Sequence, residues 1–354
     1  MVNLPFWGAL RQRFQANEKA GPSSKVSVGL DIGRVHINVV QILRTQDSVI
    51  LEKYAHHRIV PETPVSAQLK SLFQSAQFSG KNVRVSIKGQ GVILRFVSFP
   101  RMARDEFESS IQYEAEKYLP FAMSEVLLDF HIVEPSKTKS DSKTMDVILV
   151  AARRQEILKL VKLIQDANLQ PDSIDVDAIA FVNAFLFAKR DAAEQVCVLI
   201  DFGAKDVNIN ILDHGILRFS RDITFGGYDI TQFLKRKLQI GDPEAMSIQF
   251  SADPGNSAHE EALRQSFASL IQELKLSINY FFGQHQDTEK PASIFVSGGL
   301  ANMDILRRSI EQEAGIPVSL WSPTESFAIG PEVKKGELES FQPYLPVSIG
   351  LALR

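Results

Sequence analysis

The chain has 354 residues, of which 44% are hydrophobic and 23% are charged, and its formal net charge is −3. This composition is typical of a folded protein with a sizeable core, and the length favours two domains or one bilobed unit. The slightly acidic balance argues against nucleic-acid binding. The single cysteine, Cys197, excludes an internal disulfide framework and suits a reducing compartment. No apolar run reaches the roughly 18 residues that a membrane-spanning helix needs.

Residues 1–25 predict a flexible N-terminal extension that ends in the linker-like stretch "KAGPSSK". Within it, Trp7, Leu10 and Phe14 recur at helical spacing beside two arginines. The pattern fits a short helix that docks on a membrane surface or a partner, and it also fits a frayed terminus, which we expect at this length.

The first half of the chain alternates strands and helices. Alternating apolar residues predict a strand over "KVSVGLDIG", a tight glycine turn and a second strand over "RVHINVVQILR". Residues 83–100 predict two strands around a glycine-containing turn, and residues 103–118 predict a helix that Pro120 ends. The strand "VLLDFHIVE", an exposed polar hairpin loop over 135–144, the strand "MDVILVAA" and a helix follow.

The second half begins with a strand over 196–203, "VCVLIDFG", and continues with strands over "KDVNINIL" and "ILRFSRDITFGG". A helix over 230–238 precedes "GDPEAMSIQFSADPGNSAHEE", which we interpret as a polar, turn-rich insertion. One long apolar stripe over 261–282 predicts a helix whose stripe packs in the core. The strand "SIFVSGG", a helix around 305–310 and the tail "LPVSIGLALR" complete the chain.

The two halves share a repeat. Aligning Asp31 with Asp201 also aligns Gly33 with Gly203, together with the apolar strand on each side of the turn. Two equivalent hairpins about 170 residues apart predict two related lobes. A third element, "FVSGGLANMDIL", has the order strand, Gly-Gly, helix.

These three elements point to a nucleotide site. Glycine lets the backbone approach a phosphate closely, and successive N–H groups in a tight turn form an anion-binding concavity. An aspartate at the strand end repels phosphate but can hold Mg²⁺ or its water ligands. Two such turns facing each other would bind one triphosphate from both sides, and the Gly-Gly pair would let adenosine lie flat on the backbone. A single Asp-x-Gly turn would be merely structural.

These residues resemble the actin/Hsp70/hexokinase ATPase fold. From about residue 26 onward the chain resembles the PilM family, FtsA-like proteins of the type IV pilus machinery. "VGLDIG" and "VLIDFG" are similar to the two phosphate loops, "LRFSRDITFGGYDIT" to a family-typical stretch, and "IFVSGGLANM" to the adenosine loop. "IQYEAEKYLPFAMSEVLLDF" is similar to a segment that is not generic to actin-like folds, and it separates this family from sugar kinases and chaperones.

The resemblance implies an α/β, bilobed actin-like ATPase fold with two duplicated RNase H-like lobes and an FtsA/PilM-type extra subdomain, 1C. It divides the chain as follows: the lobe I core (1A) at 26–87 and 169–195, the inserted subdomain 1C at 88–168, the lobe II core (2A) at 196–232 and 291–354 with the C-terminal segment returning to lobe I, and subdomain 2B at 233–290.

The resemblance also implies that ATP and Mg²⁺ bind between the lobes, with Asp31 and Asp201 as the metal ligands. The implied cofactor-binding residues are Asp31, Gly33, Arg34, Asp201, Gly203, Ala204, Lys205, Gly226, Gly227, Glu273, Gly298 and Gly299.

The chain departs from the family pattern around this site. Arg34 stands where the family usually has serine or threonine, Asn38 where a lysine is usual, and Leu276 where an arginine near the nucleotide is expected. Two hypotheses stay open. In one, the cleft still binds ATP and Mg²⁺, and Arg34 or Lys205 adds phosphate contacts. In the other, the cleft is degenerate and Arg34 is a solvated turn residue.

We expect at most slow ATP hydrolysis, because catalysis requires a group that orients the attacking water. Asp177, Asp201 and Asn183 are candidates without a distinguishing pattern. An active ATPase or a small-molecule kinase of the same fold remains an alternative, although no aspartate lies in a convincing substrate loop. Further alternatives are a nucleotide-free scaffold of a related secretion system and an FtsA-like division protein that contacts membranes.

The resemblance implies a cytoplasmic scaffold that is peripheral to the inner membrane through its partner. That partner is a PilN-like membrane protein whose N-terminal tail binds in a groove, and PilO and the pilus motor ATPases are linked indirectly. Self-association is left open. The implied partner-binding residues are Glu114, Lys117, Tyr118, Leu119, Pro120 and Phe121.

Overall fold

The computed structural model describes residues 25–133, 143–250 and 256–354. The helical stretch predicted around Trp7–Phe14 lies outside these ranges, and so does most of the polar loop predicted at 135–144. Within the described ranges no helix combines the length and the apolar character needed to cross a membrane.

The described strands and helices alternate along the chain. The strands are β1 (Lys25–Ile32), β2 (His36–Arg44), β3 (Val49–Arg58), β4 (Asn82–Ile87), β5 (Val92–Pro100), β6 (Val126–Val133), β7 (Thr144–Arg153), β8 (Gln170–Val176), β9 (Cys197–Phe202), β10 (Val207–Asp213), β11 (Ile216–Ile223), β12 (Ser293–Gly298), β13 (Val318–Leu320) and β14 (Ala328–Ile329). The helices are α1 (Val65–Ser75), α2 (Arg104–Ala115), α3 (Arg154–Asp166), α4 (Asp177–Ala188), α5 (Gly227–Leu238), α6 (Asp242–Phe250), α7 (Ser257–Ser266), α8 (Ala268–Gln284), α9 (Asp304–Ala314), α10 (Lys335–Phe341) and α11 (Pro346–Leu353).

Two of the sheets share one topology. The first has the strand order β14-β3-β2-β1-β4-β8, and the second has the order β11-β10-β9-β12-β13. In each, three antiparallel neighbours (β3-β2-β1 and β11-β10-β9) are followed by two parallel strands (β4-β8 and β12-β13). This duplication agrees with the two related lobes that the repeat predicts.

The repeat extends to the register of the two hairpins. Asp31 lies opposite Asn38 in the first sheet, and Asp201 lies opposite Asn208 in the second. In both hairpins the glycine two residues after the aspartate donates its N–H to the carbonyl three residues further on, at 2.8 Å and 3.1 Å. The two turns therefore present the same backbone geometry.

A shared core joins the lobes. The side chains of α4 and α11 are buried along almost their whole length. They belong to one apolar cluster that includes Ile42 of the first sheet and Leu199 of the second. Because both sheets contribute to this cluster, the two lobes form one bilobed unit.

The third sheet has the antiparallel order β5-β7-β6 and lies in the region predicted as the inserted subdomain. We call it the inserted sheet. Phe107 and Ile111 of α2 pack with Leu149 in its core. Helix α3, in contrast, packs through Ile157 and Val161 in the apolar cluster of the first sheet. The predicted subdomain limits stay a prediction.

Two local predictions in the second lobe were wrong. Residues 242–250 of the supposed polar insertion form α6, which buries Ala245 and Ile248. The early Pro243 is compatible with the first turn of a helix. The helix predicted over 261–282 is interrupted at Phe267, where α7 ends and α8 begins. Phe267 has a non-helical backbone and its side chain is fully buried, so that core packing sets the break.

Close packing of α11 provides a stability test. A Cβ at Gly350 would overlap the carbonyl oxygen of Ala180 in α4, whereas a Cβ at Gly336 in α10 would meet open space. We expect Gly350→Ala to lower the free energy of unfolding by about 3 kcal/mol, because backbone would have to separate from backbone. Gly336→Ala, the matched control, should leave it unchanged or raise it by up to about 1 kcal/mol, because alanine favours the helix more than glycine does. Urea unfolding curves that coincide for the two variants would contradict this packing.

Candidate functional site

A cavity of about 230 Å³ lies between the two hairpin turns, and we call it the cleft cavity. Five residues of the predicted cofactor set border it: Arg34 from the first turn, and Asp201, Gly203, Ala204 and Lys205 from the second. The structure thus brings together residues from both lobes that are about 170 positions apart in the chain.

Parallel pairing within the first sheet supplies two further cavity residues. Ile87 at the end of β4 lies opposite Val176 at the end of β8, so the next residues, Lys88 and Asp177, are neighbours. Strand β1 runs parallel to β4 and delivers Asp31 to the same edge. The carboxyl ends of parallel strands commonly form the ligand crevice in α/β sheets, which explains why charged side chains collect here.

Lys88 was not identified from the sequence, and it lies at the centre of this charged group. Its Nζ is 3.3 Å from Oδ1 of Asp31 and 3.9 Å from Oδ2 of Asp177. Burial in the cleft lowers the pKa of the Lys88 ammonium, but the carboxylates of Asp31, Asp177 and Asp201 outweigh this effect and raise its pKa above the ordinary value. Lys88 therefore stays protonated at neutral pH.

Burial disfavours the ionised form of the carboxylates around Lys88. Burial raises the pKa of Asp177 to about 7, against the opposing charge of Lys88 and with help from Asp222 and Asp31. Burial likewise raises the pKa of Asp201 to about 6, again opposed by Lys88. Several carboxylates thus share one ammonium, and such perturbed groups in a cleft are typical of functional sites.

The other basic residues of the two turns have protein partners. The Nε of Arg34 lies 3.2 Å from Oδ2 of Asp206, so an ion pair ties the first turn to the second. The Lys205 ammonium lies 5.1 Å from the centre of the Tyr228 ring, within the range of a cation–π contact. Arg34 is thus paired across the two turns while 56% of its side chain stays exposed, and its contact with phosphate stays a prediction.

Gly226 and Gly227 support the second turn from behind. A Cβ at Gly226 would overlap the backbone of Ala204, so only glycine allows this approach. The N–H of Gly227 donates to the carbonyl of Gly203 at 3.3 Å, and the N–H of Tyr228 donates to that of Ala204 at 2.9 Å. The first N–H groups of α5 therefore bind the turn.

Gly298 and Gly299 lie beside the cleft cavity and are not among its described lining residues. Gly298 has φ +90° and packs against the backbone of Phe202, where a side chain would clash. A Cβ at Gly299 would lie 3.3 Å from the Tyr344 ring. The glycine pair therefore adjoins an aromatic side chain that the sequence did not connect with it.

Three other predicted or discussed residues lie away from the cleft cavity. Glu273 binds Arg221 with an Oε2–Nη2 distance of 2.8 Å, and Arg221 borders a second cavity of about 250 Å³ that shares Lys88 and Asp177 with the first. Leu276 is exposed on α8. The Nδ2 of Asn183 is buried with no hydrogen-bond partner in the described part of the chain.

Asn38 connects the charged group to an aromatic cluster. Its Nδ2 donates to Oδ2 of Asp31 at 3.1 Å, and its Oδ1 lies 2.7 Å from Nδ1 of His56. Since Oδ1 can only accept, the imidazole must donate. The His56 ring packs on Phe341 and Tyr344, with ring centres 4.8 Å and 4.6 Å apart. Burial lowers the pKa of His56 to about 4, and the nearby His36 and His57 add to this.

The family model described as "Type IV pilus assembly protein PilM" matches residues 29–354. The chain belongs to the PilM family of type IV pilus assembly proteins. The family predicted from the sequence is thereby confirmed.

Solved structures with a similar fold agree with the family assignment. A structure titled "PilM-PilN type IV pilus biogenesis complex" matches with a TM-score of 0.80 and 23% identity, covering 93% of this chain and 98% of that one. The ethanolamine utilization protein EutJ from Carboxydothermus hydrogenoformans matches with a TM-score of 0.50 and 12% identity, covering 96% and 93%. The predicted bilobed actin-like fold is confirmed.

The family-typical segment after α2 has mixed exposure. Leu119 is buried in the core of the inserted sheet, because its neighbours Phe107 and Val126 enclose it. Its side chain is therefore not available to a partner, contrary to the prediction. Glu114 and Lys117 pair with each other on the surface, with a distance of 2.8 Å between Oε2 and Nζ.

Three neighbouring side chains in this PilM segment do reach the surface. Tyr118 is exposed while its ring edge packs on Phe99, and Pro120 is exposed. The Phe121 ring is partly buried, with the Arg153 guanidinium 4.3 Å from its centre. Tyr118, Pro120 and Phe121 are thus the apolar residues of this segment that are at least partly exposed, and we call these three residues the PilM-segment surface.

The low pKa of His56 predicts that this residue destabilises the fold as the pH falls. In the unfolded chain His56 takes up a proton near pH 6.5, but in the fold only near pH 4, so its contribution to stability is present above pH 6.5 and is lost as the pH falls. Between pH 7.5 and 5.0 we expect wild type to lose about 1 kcal/mol more unfolding free energy than His56→Gln, allowing for solvent screening.

Urea unfolding at both pH values measures this difference. Glutamine can still donate to Asn38 but cannot take up a proton. His214→Gln, at a histidine on the surface, controls for the loss of a histidine. Identical pH dependence of wild type and His56→Gln would show that His56 is not held neutral by the fold.

Proposed function

We propose that this protein is an actin-like scaffold of a type IV pilus inner-membrane complex. It holds ATP with Mg²⁺ between its lobes and binds the N-terminal tail of a PilN-like membrane protein on the inserted sheet. The observation that carries the nucleotide part is that two turns of the same geometry, one from each lobe, border a single cavity.

The cleft cavity suits the phosphates of a nucleotide. Its volume of about 230 Å³ is smaller than the roughly 300 Å³ or more of typical ligand pockets, so it fits the phosphate chain rather than the whole nucleotide. Among the described hydrogen bonds, none uses the backbone N–H of Arg34, Ala204 or Lys205. These three N–H groups are the donors that we expect phosphate oxygens to use.

Two aspartates at the strand ends, Asp31 and Asp201, fit a magnesium ion that is bound together with the phosphates. Mg²⁺ usually takes one or two carboxylates and completes its shell with water and phosphate oxygens. Asp31 and Asp201 supply that number of carboxylates, and the described residues contain no cluster of three or more ligands that could hold a metal without the nucleotide. When bound, Mg²⁺ would neutralise the charge between the phosphates and these two aspartates.

Slow ATP hydrolysis is a second candidate activity of this cleft. Asp177 borders both cavities, and its pKa of about 7 suits a group that accepts a proton from water near neutral pH. A scaffold that uses ATP as a structural ligand or a switch does not depend on this step.

The inserted sheet offers the partner site. The inserted sheet has the order β5-β7-β6, and an extended partner tail would bind such a sheet by backbone pairing with pockets for alternate side chains. The PilM-segment surface immediately precedes β6 and offers Tyr118 and Phe121 as side-chain contacts. That a solved PilM structure was obtained with PilN supports a partner of this class.

The nucleotide proposal is tested by calorimetric titration of ATP with Mg²⁺. We expect one site in wild type and an affinity at least about tenfold weaker in Asp201→Ala and Asp31→Ala, because a metal ligand is lost. Thermal unfolding of Asp201→Ala should show no loss of stability, since burial disfavours that carboxylate. Asp172→Ala, which removes a surface partner of Arg84, is the matched control. A wild-type protein that binds no nucleotide would support the hypothesis that the cleft is degenerate.

The partner proposal is tested with a labelled peptide from the N-terminal tail of a PilN-like protein. We expect Tyr118→Ala and Phe121→Ala to weaken binding about tenfold or more, since apolar anchors dominate such interfaces. Tyr280→Ala removes an exposed tyrosine from α8 in the other lobe and should leave binding unchanged. Fluorescence anisotropy measures all three affinities, and equal values for wild type and Tyr118→Ala would place the peptide elsewhere.

A further inference from the structure

One ammonium in the cleft cavity differs from the other basic groups there. Three basic side chains border this cavity. Arg34 is paired with Asp206 across the two turns, and Lys205 lies over the Tyr228 ring. Lys88 alone among these three is surrounded by the carboxylates of the strand ends, at the position where both cavities meet.

The contacts of Lys88 are loose. Its Nζ lies 3.3 Å from Asp31 and 3.9 Å from Asp177, whereas the pair Lys189–Glu325 in the same structure has a distance of 2.7 Å. Hydrogen bonds between an ammonium and a carboxylate usually measure about 2.7–2.9 Å. The Lys88 ammonium is therefore shared between two acceptors without a close bond to either, and a third anion can compete for it.

Lys88 is followed directly by a tight, hydrogen-bonded turn. Lys88 ends the run from β4 and is followed by Gly89, which has φ +92° and open space where a Cβ would lie. The N–H of Val92 closes this turn by donating to the carbonyl of Gly89 at 2.9 Å. The flexible four-carbon side chain of Lys88 can move its ammonium by rotation about its own bonds while this turn stays unchanged.

We propose that Lys88 is the side chain that contacts the phosphates of a nucleoside polyphosphate in the cleft. Its ammonium moves from Asp31 and Asp177 to a phosphate oxygen when the nucleotide enters. The move leaves the carboxylate of Asp31 available to the metal ion that accompanies the phosphates. This inference rests on the proposed nucleotide binding and names the residue that recognises the phosphate charge.

The test compares Lys88→Met, Lys88→Arg and Lys81→Met in calorimetric titrations with ATP and Mg²⁺. Lys81 and Lys88 flank the two ends of β4, so Lys81→Met is the matched control for losing a lysine beside this strand. We expect Lys88→Met to weaken ATP binding at least about tenfold, because a charge-assisted hydrogen bond is lost. Lys88→Arg and Lys81→Met should stay within about threefold of wild type.

Two results would overturn the assignment to Lys88. One is Lys88→Met binding ATP within about threefold of wild type. The other is Lys88→Arg losing as much affinity as Lys88→Met, which would indicate a purely structural lysine. Wild type that binds no ATP would instead refute the proposed nucleotide binding itself. If Lys88→Met does not fold, the double variant with Lys88→Met and Asp177→Asn replaces it and is compared with Asp177→Asn alone by the same criteria. The double variant removes one charge of each sign.

Discussion

The junction between the two lobes depends on one ammonium, that of Lys88, which several carboxylates share. Asp31 and Asp177 come from two strand ends of the first lobe, and Asp201 comes from the second lobe, so the group exists only when both lobes are in place. Without Lys88 these like charges would repel one another at the point where the lobes meet. The Arg34–Asp206 pair closes the same junction from the solvent side.

The buried carboxylates of this junction lower the stability of the fold, and the apolar core that both lobes share offsets the loss. Burial raises the pKa values of Asp177 and Asp201, so their ionised forms oppose folding at neutral pH. Helices α4 and α11 belong to the apolar cluster to which both sheets contribute, and α11 packs closely where Gly350 meets Ala180 and Gly29 meets Ser348, with no room for a side chain. Residues that weaken a fold and are nevertheless buried in a cleft are typical of binding sites rather than of structural cores.

Much of the fold was predictable because its signals are local. The two hairpins follow from apolar alternation and Asp-x-Gly turns, and their repeat predicted two lobes. Helix α4 was not predicted, because it is apolar on nearly every face and has no helical periodicity for a sequence pattern to show. The core break at Phe267 depends on which side chains surround it, and no local pattern encodes that.

The residues of the candidate site could be predicted from the sequence only where they belong to one local turn. The role of Lys88 follows from the pairing of β4 with β8, whose strands lie more than 80 residues apart, and the role of Arg34 follows from a turn of the other lobe. Leu119 and Tyr118 are adjacent in the sequence, yet one is buried and the other is exposed, because the chain there changes from a helical turn to an extended conformation.

The most direct test of the account is a crystal structure of this protein with a non-hydrolysable ATP analogue and Mg²⁺. We expect phosphates between the two turns, Mg²⁺ within reach of Asp31 and Asp201, and the Lys88 ammonium at hydrogen-bond distance from a phosphate oxygen. A nucleotide bound outside the cleft, or phosphates that leave Lys88 on Asp31 and Asp177, would contradict it.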